Sequence, residues 1–326
     1  MKKILIAVAA LVSIYSNAQP VPKRVVVEHF TNTYCPPCAT RNPNLYTNLA
    51  VHPSVYHMSY HPSSPYPSCT LYQHNPSEND ARTNYYGVYG STPRIVIQGA
   101  AYPANVNFAD TALFTSSMGQ LTPFDMTVSL TQLNATTLRV VLTIYKEDTS
   151  SLNTAEIYGA IAEDTLMFTS NNGEPAHYDV FRKAIWSANP QSTPLPAMVN
   201  TSVSMMQDIT INNAWDLSKV FAMVMLHNGT DVIQVAKSAG LPLTSGNVPM
   251  GSLISIYPNP ATELITIVGV EEGTEIEVKD LNGRSVLQQS AAPANEQVDI
   301  TSLTSGLYIL TVSSKGKTQH FKLLKQ

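Results

Sequence analysis

The chain has 326 residues, enough for two or three domains. It is 44% hydrophobic and only 13% charged, which provides for packed cores and excludes a disordered chain. A net charge of −4 leaves no basic face for nucleic acid, and that class of partner is set aside.

Met1-Lys2-Lys3, the apolar run from Ile4 to Ile14 and Ser16-Asn17-Ala18-Gln19 have the layout of a secretory signal peptide over residues 1–18, cleaved after Ala18. The run is too short to span a bilayer comfortably, and no later stretch is long and apolar enough to do so as a helix. A mature chain without a transmembrane helix is expected. With no Cys at the cut, a lipid-modified N-terminus is not expected. Residues 19–120 read as an α/β unit. Val25 to Phe30 is a buried strand, and residues 38–49 have helical spacing. Pro43 predicts that this helix is short or kinked. Residues 55–60 alternate as a second strand. Residues 61–84, rich in Pro, Ser and Asn, read as an insertion with little regular structure or with short helices. Residues 95–97 form a third strand, and Gly99 marks a turn. Strands separated by helical pieces predict a central sheet.

After Pro123 the texture changes. Residues 124–130, 138–145, 157–162, 221–226 and 233–236 read as strands, which predicts a β-sandwich over residues 121–245. Residues 169–198 read as an irregular crossing over one end of it. Residues 246–251 form a polar linker. Short strands then recur over residues 252–326, separated late by the turn signals Asn282-Gly283 and Ser305-Gly306, as a third, all-β module.

The chemistry concentrates in Cys35-Pro36-Pro37-Cys38, which follows a strand and opens a helix. A helix start offers free N–H groups and a positive dipole end, so a thiolate at Cys35 is stabilised there. Cys38, three residues on, can close a disulfide, which persists outside the cytoplasm. The two prolines stiffen the loop. Thr92-Pro93-Arg94 stands just before the third strand. The third cysteine, Cys69, lies in a Pro-rich loop and reads as a tucked-away free thiol in preference to a third redox thiol. A zinc site recruiting Cys69 and His61 fits no finger spacing, and neither a metal nor a cofactor is expected.

The order strand, CxxC, helix, Thr-Pro, strand resembles the thioredoxin superfamily, in which a cis-proline sits beside the reactive disulfide. Val26 to Cys38 is similar to the Omp28-related outer membrane protein family of Bacteroidetes, although Asn32 replaces a Gly, Tyr34 replaces a Trp and His29 stands where an acid is common. His177-Tyr178-Asp179-Val180-Phe181-Arg182, and residues 223–226 with 232–235, extend the resemblance over roughly residues 23–240. The resemblance implies thiol–disulfide exchange, with Cys35 attacking, Cys38 resolving and Pro93 beside them. His29 has two readings of equal weight: a proton acceptor for Cys38, or a hydrogen-bonded core histidine. For the cysteine pair the alternative is a structural staple, with the redox reading favoured. Tyr85-Tyr86-Gly87-Val88-Tyr89-Gly90 reads as packing before a peptide groove, and His177 with Asp179 as capping or packing. A peroxidase lacks its Thr-x-x-Cys context here.

Ile254-Ser255-Ile256-Tyr257-Pro258-Asn259-Pro260 opens the last module. With Asp280-Leu281-Asn282-Gly283-Arg284, Ser305-Gly306-Leu307-Tyr308 and Phe321-Lys322-Leu323-Leu324-Lys325, it resembles the type IX secretion C-terminal sorting domain of Bacteroidetes. That implies type IX secretion machinery as a partner, passage through the outer membrane, removal of the domain, and secretion or attachment to surface lipopolysaccharide. The fold expected is thus an α/β thioredoxin-like domain, an all-β sandwich and a small all-β sorting domain. The function expected is a surface or secreted thiol–disulfide oxidoreductase acting on protein thiols or disulfides. The alternative is a non-enzymatic surface scaffold or adhesion protein stapled by its CPPC disulfide.

Overall fold

The computed structural model describes residues 18–241, 255–257, 259–268, 270, 273–290, 295–314 and 317–326. The expected signal peptide up to residue 17 and the linker at 246–251 lie outside these residues. In chain order the first part holds β1 (Val21–Pro22), β2 (Val25–Phe30), α1 (Pro36–Ala50), β3 (Val55–Tyr60), α2 (Thr70–His74), α3 (Pro76–Tyr85), β4 (Arg94–Ile97) and β5 (Ala100–Ala101). Then come β6 (Leu121–Thr122), which pairs with β1, β7 (Phe124–Asn134), β8 (Thr137–Lys146) and β9 (Thr154–Glu163). β10 (Leu166–Met167) and β11 (Ala176–His177) form a small hairpin. β12 (Val180–Ala184), β13 (Gln191–Pro194), β14 (Thr201–Thr210), β15 (Val220–Asn228) and β16 (Asp231–Lys237) follow.

Every residue of β2 is buried, as its unbroken apolar and β-branched start requires of a strand covered on both faces. β3 runs parallel to it, from Val25 opposite Val55 to Phe30 opposite Tyr60. β4 pairs antiparallel on the other side. α1 returns the chain between β2 and β3. It is not short: 15 residues run through Pro43. Pro43 lies on the exposed face, where water can satisfy the carbonyl whose partner N–H the ring removes. The 61–84 insertion contains two short helices, α2 and α3.

These strands belong to a nine-stranded sheet in the order β16-β15-β9-β12-β3-β2-β4-β5, with β13 also on β9. The sheet therefore runs across residues 120 and 121. β12 joins the two parts, parallel to β3 at Val180–Ser59 and antiparallel to β9. The expectation of an irregular crossing at 169–198 is corrected here, since the segment supplies β11, the joining strand β12, and β13. Its strands are short and bounded by polar turns, so no period-2 run announces them. Gln98 ties the same junction: its Oε1 accepts from the Val26 N–H at 2.9 Å and its Nε2 donates to the Val232 carbonyl at 3.3 Å.

β14, β8 and β7 form a second, three-stranded sheet. Its buried residues Met126, Leu138, Val140 and Leu142 share a core with Ile157, Ala222 and Val224 of the large sheet. On the other part of the large sheet, Val26, Phe30 and Met58 share a core with Phe181, Phe221 and Val235. The C-terminal part has a hydrophobic core of its own. A three-stranded sheet of β17 (Ser255–Tyr257), β18 (Leu264–Val268) and β21 (Asn295–Asp299) shares a core with a four-stranded sheet of β19 (Glu275–Lys279), β20 (Ser285–Ser290), β22 (Gly306–Ser314) and β23 (Lys317–Lys325). Among the described residues no helix is long and apolar enough to cross a membrane.

Candidate functional site

The local sequence builds a disulfide into the start of a helix. Cys35 is the N-cap of α1, in extended conformation, and Pro36 and Pro37 occupy the first helical positions, where the N–H group is unpaired in any case. Cys35 and Cys38 are disulfide-bonded, with Cα atoms 5.2 Å apart. Cys35 Sγ accepts from the Cys38 N–H at 3.1 Å. Thr92–Pro93 is a cis peptide, and the Thr92 carbonyl oxygen lies 3.4 Å from Cys35 Sγ. Cys35, Cys38 and the Thr92-Pro93 turn, 54 and more residues apart in the chain, are thus brought to one place. Both cysteines are buried, at 1% and 0% exposure, while Pro36 and Pro37 are exposed beside them.

His29 projects from β2 into the buried layer beneath α1, with its ring against Tyr46 and Phe108. Burial, with His57 and His61 nearby, holds its imidazole well below the ordinary range, so it is neutral at neutral pH; Asn42 beside it acts in the opposite sense. His29 Nδ1 lies 3.4 Å from His57 Nε2, and His57 Nδ1 lies 3.0 Å from Asp179 Oδ2. Asp179 Oδ1 accepts from Lys237 Nζ at 3.2 Å. Burial alone would raise the Asp179 carboxyl, but hydrogen bonds and charge from His57 and Lys237 outweigh it and hold the group below its usual value. This polar line ends at an open pocket of about 660 Å³ lined by Tyr46, His57, Tyr178, Asp179 and Lys237 among others.

Four residues of this neighbourhood were not singled out from sequence: Asn42, His57, Asn172 and Glu174. Asn42 lies one turn beyond Cys38 on α1 and donates to Thr31 Oγ1 at 2.8 Å and to Glu174 Oε1 at 2.7 Å. Asn172 and Glu174 arrive on the loop between β10 and β11. The only sequence signal there is Asn171-Asn172-Gly173, which reads as a turn and nothing more.

Cys69 is a free, buried thiol. It accepts from Thr33 Oγ1 at 3.1 Å and packs with Leu71 and Val180. His61 and His177 are ring neighbours at 6.4 Å, but among the described residues no group of three or more His, Cys, Asp or Glu is poised to hold a metal. Tyr85 and Tyr86 pack around the Arg82 guanidinium, and the Tyr86 hydroxyl donates to Glu28.

Residues 255–326 match the secretion system C-terminal sorting domain family. No curated protein matches the chain. Among solved structures, HBP35 of Porphyromonas gingivalis is similar over 93% of this chain and 98% of that one, with a TM-score of 0.57 and 14% identity, a likeness of fold alone. A structure of PorZ, a surface component of the type IX secretion system of the same organism, is similar over 22% of this chain and 11% of that one, at 21% identity and a TM-score of 0.20, and carries no argument. The Cys35–Cys38 disulfide thus belongs to an exported cargo protein whose type IX sorting domain directs it to the cell surface or to secretion.

Proposed function

We propose that residues 19–241 form a thioredoxin-like thiol–disulfide oxidoreductase acting on protein thiols or disulfides outside the cell. The observation that carries this reading is the placement of the pair: Cys35 caps α1, accepts from the Cys38 N–H, and faces the Thr92 carbonyl. When the pair is reduced, the same N–H and the helix dipole favour a thiolate on Cys35. Cys35 then attacks a substrate disulfide, and Cys38 resolves the mixed disulfide. Pro93 shapes the turn against which the substrate lies, and His29 is the neutral proton-handling group on the buried side of α1. The resemblance of residues 23–240 to Omp28-related outer membrane proteins points the same way. After removal of the sorting domain the chain is released or held to surface lipopolysaccharide.

The test is insulin reduction with dithiothreitol. Native protein accelerates it and Cys35→Ser does not; no acceleration by the native protein overturns the reading. One observation favours a non-enzymatic stapled scaffold instead, namely the near-complete burial of both sulfurs. A Cys35–Cys38 reduction potential below about −300 mV would mark such a staple, and a higher one an exchange site.

A further inference from the structure

The open pocket lies at the end of α1 remote from the disulfide. Cys35 caps the start of α1, and the helix ends at Ala50. At 1.5 Å per residue the two ends are about 22 Å apart. Leu49, Ala50 and Val55 line an apolar part of the cavity, whose volume of about 660 Å³ takes a small organic molecule.

The charges on the cavity are unevenly paired. Lys237 Nζ pairs with Asp179 Oδ1 at 3.2 Å, and His57 Nδ1 faces Asp179 Oδ2 at 3.0 Å. His57 is buried between Asp179 and His29, so its ring nitrogens are not turned to a ligand. Both basic groups thus serve Asp179. The second carboxylate, Asp164, stands exposed at the rim. Its Oδ1 accepts from the Thr165 N–H at 2.8 Å and from Thr165 Oγ1 at 3.2 Å, and among the described residues no cation pairs with it. An anion entering the cavity would meet an ammonium already neutralised and a carboxylate that is not. A cation meets the reverse.

The aromatic lining acts in the same sense. The rings of Tyr46 and Tyr178 stand 4.6 Å apart at 59° and form a corner, and Tyr56 lines the same cavity. Ring faces attract an ammonium electrostatically. Burial first, then Glu174, Tyr178 and Asp179, push the Tyr46 hydroxyl well above its ordinary value, so it stays neutral and its oxygen can accept. The protein already seats one ammonium here by carboxylate and ring together: Lys237 Nζ, paired with Asp179, lies 3.8 Å from the ring centroid of Phe221.

We propose that this cavity binds an organic cation, a primary ammonium on an unbranched apolar stem. The ammonium lies between Asp164 and the tyrosine rings, and the stem lies along Leu49 and Val55. A free alkylamine and the side chain of a lysine in a polypeptide present this same chemistry. The site is independent of the CPPC pair and of the oxidoreductase reading.

The experiment titrates the full chain with pentylamine, pentanol and pentanoate, which share one stem and differ in charge, and reads affinity by ligand-observed NMR. Pentylamine is expected to bind about fivefold or more tightly than pentanol, and pentanoate more weakly than either. Asp164→Asn keeps an oxygen for Thr165 and removes the charge. It is expected to weaken pentylamine about threefold to fivefold and to leave pentanol unchanged. Ala50→Trp fills the cavity from an exposed position and is expected to abolish binding of all three. Equal affinity for the three ligands, a preference for pentanoate, or pentylamine binding undiminished in either variant overturns the proposal. Nα-acetyl-lysine methylamide separates the two sources of the cation. Binding equal to that of pentylamine supports a lysine side chain as the occupant, and exclusion supports a free amine. None of these readouts involves the disulfide, so a native protein that fails to reduce insulin refutes the oxidoreductase reading and leaves the cation site standing.

Discussion

The most consequential single residues outside the disulfide are Glu28 and Arg82, a charge pair in the core. Arg82 donates from Nε to Glu28 Oε1 at 2.6 Å and from Nη2 to Oε2 at 2.9 Å, and both side chains are buried. The guanidinium lies 3.8 Å from the ring centroid of Tyr158, on the far side of the β12 junction. Burial alone would lower the Arg82 value, but Glu28 and the surrounding tyrosines hold it well above the ordinary value. Glu28→Gln strands that charge in the core and is expected to cost roughly 3–5 kcal/mol, read as a lower urea midpoint. Glu28→Gln with Arg82→Met is expected to recover part of the loss, because the stranded cation is removed. A midpoint unchanged by Glu28→Gln would show the pair to be dispensable. Neither partner was legible as such: Glu28 sits in a strand read as buried, and Arg82 in a segment read as an insertion with little regular structure or with short helices. The Cys35–Cys38 disulfide was legible because its two partners stand three residues apart in one turn. His57, Asn42 and Glu174 acquire theirs only from neighbours that the fold brings up, 28, 132 and 132 positions away respectively.

The turn between β4 and β5 closes against the turn between β15 and β16, and one glycine makes the approach possible. Gly99 has φ +85°, and a Cβ there would stand 1.7 Å from the Thr230 carbonyl oxygen. Gly99→Ala must move backbone and is expected to cost at least about 1–3 kcal/mol, a cost measurable as a depressed melting temperature. Gly229 is the control. Its φ is +63°, but a Cβ would meet nothing within 4 Å, so Gly229→Ala bears only the conformational cost of about 1 kcal/mol. Equal losses at the two sites would refute the close-approach explanation. Sequence read Gly99 as a turn and stopped there, because the carbonyl that excludes a side chain belongs to an element more than a hundred residues later. The elements themselves were legible where the local pattern is strong, as the alternation of β8 and the unbroken apolar runs of β2 and β15. They were not where tertiary pairing overrides local pattern. β12 is five residues long and Pro43 sits inside a continuous helix.

At the scale of the molecule the fold buries imidazoles without charging them. His74, His177 and His227 are each held at about 4, with burial the leading cause. His29 and His61 are also lowered by burial. In the unfolded chain each titrates near its ordinary value of about 6.5. Between about pH 6.5 and pH 4 the unfolded state therefore binds more protons, and stability must fall as pH falls through that window. For the fully buried His227 alone the loss is on the order of 3 kcal/mol by pH 4. A urea midpoint that stays flat across the window would contradict the burial of neutral histidines.

The continuity of the large sheet carries the last prediction. Strand patterns read as an α/β unit over residues 19–120 and a β-sandwich over residues 121–245, but one sheet runs across that boundary, and pairing of this kind is a long-range fact that no local pattern encodes. β12 lies against β3, and the Ser59 N–H donates to the Asp179 carbonyl at 2.9 Å. The Val232 N–H donates to the Gln98 carbonyl at 3.1 Å. One core takes Phe30 and Met58 from the first part and Phe181, Phe221 and Val235 from the second. A piece ending at residue 120 would expose the β3 edge and half of that core, an arrangement prone to aggregation and without a stable fold. Residues 19–120 expressed alone are thus expected to lack a cooperative transition, whereas residues 19–241 unfold in one. Calorimetry decides the matter: two separable transitions in residues 19–241, or a folded 19–120 fragment, would mean that the shared sheet is a docking of independent units and not the common foundation of the CPPC site.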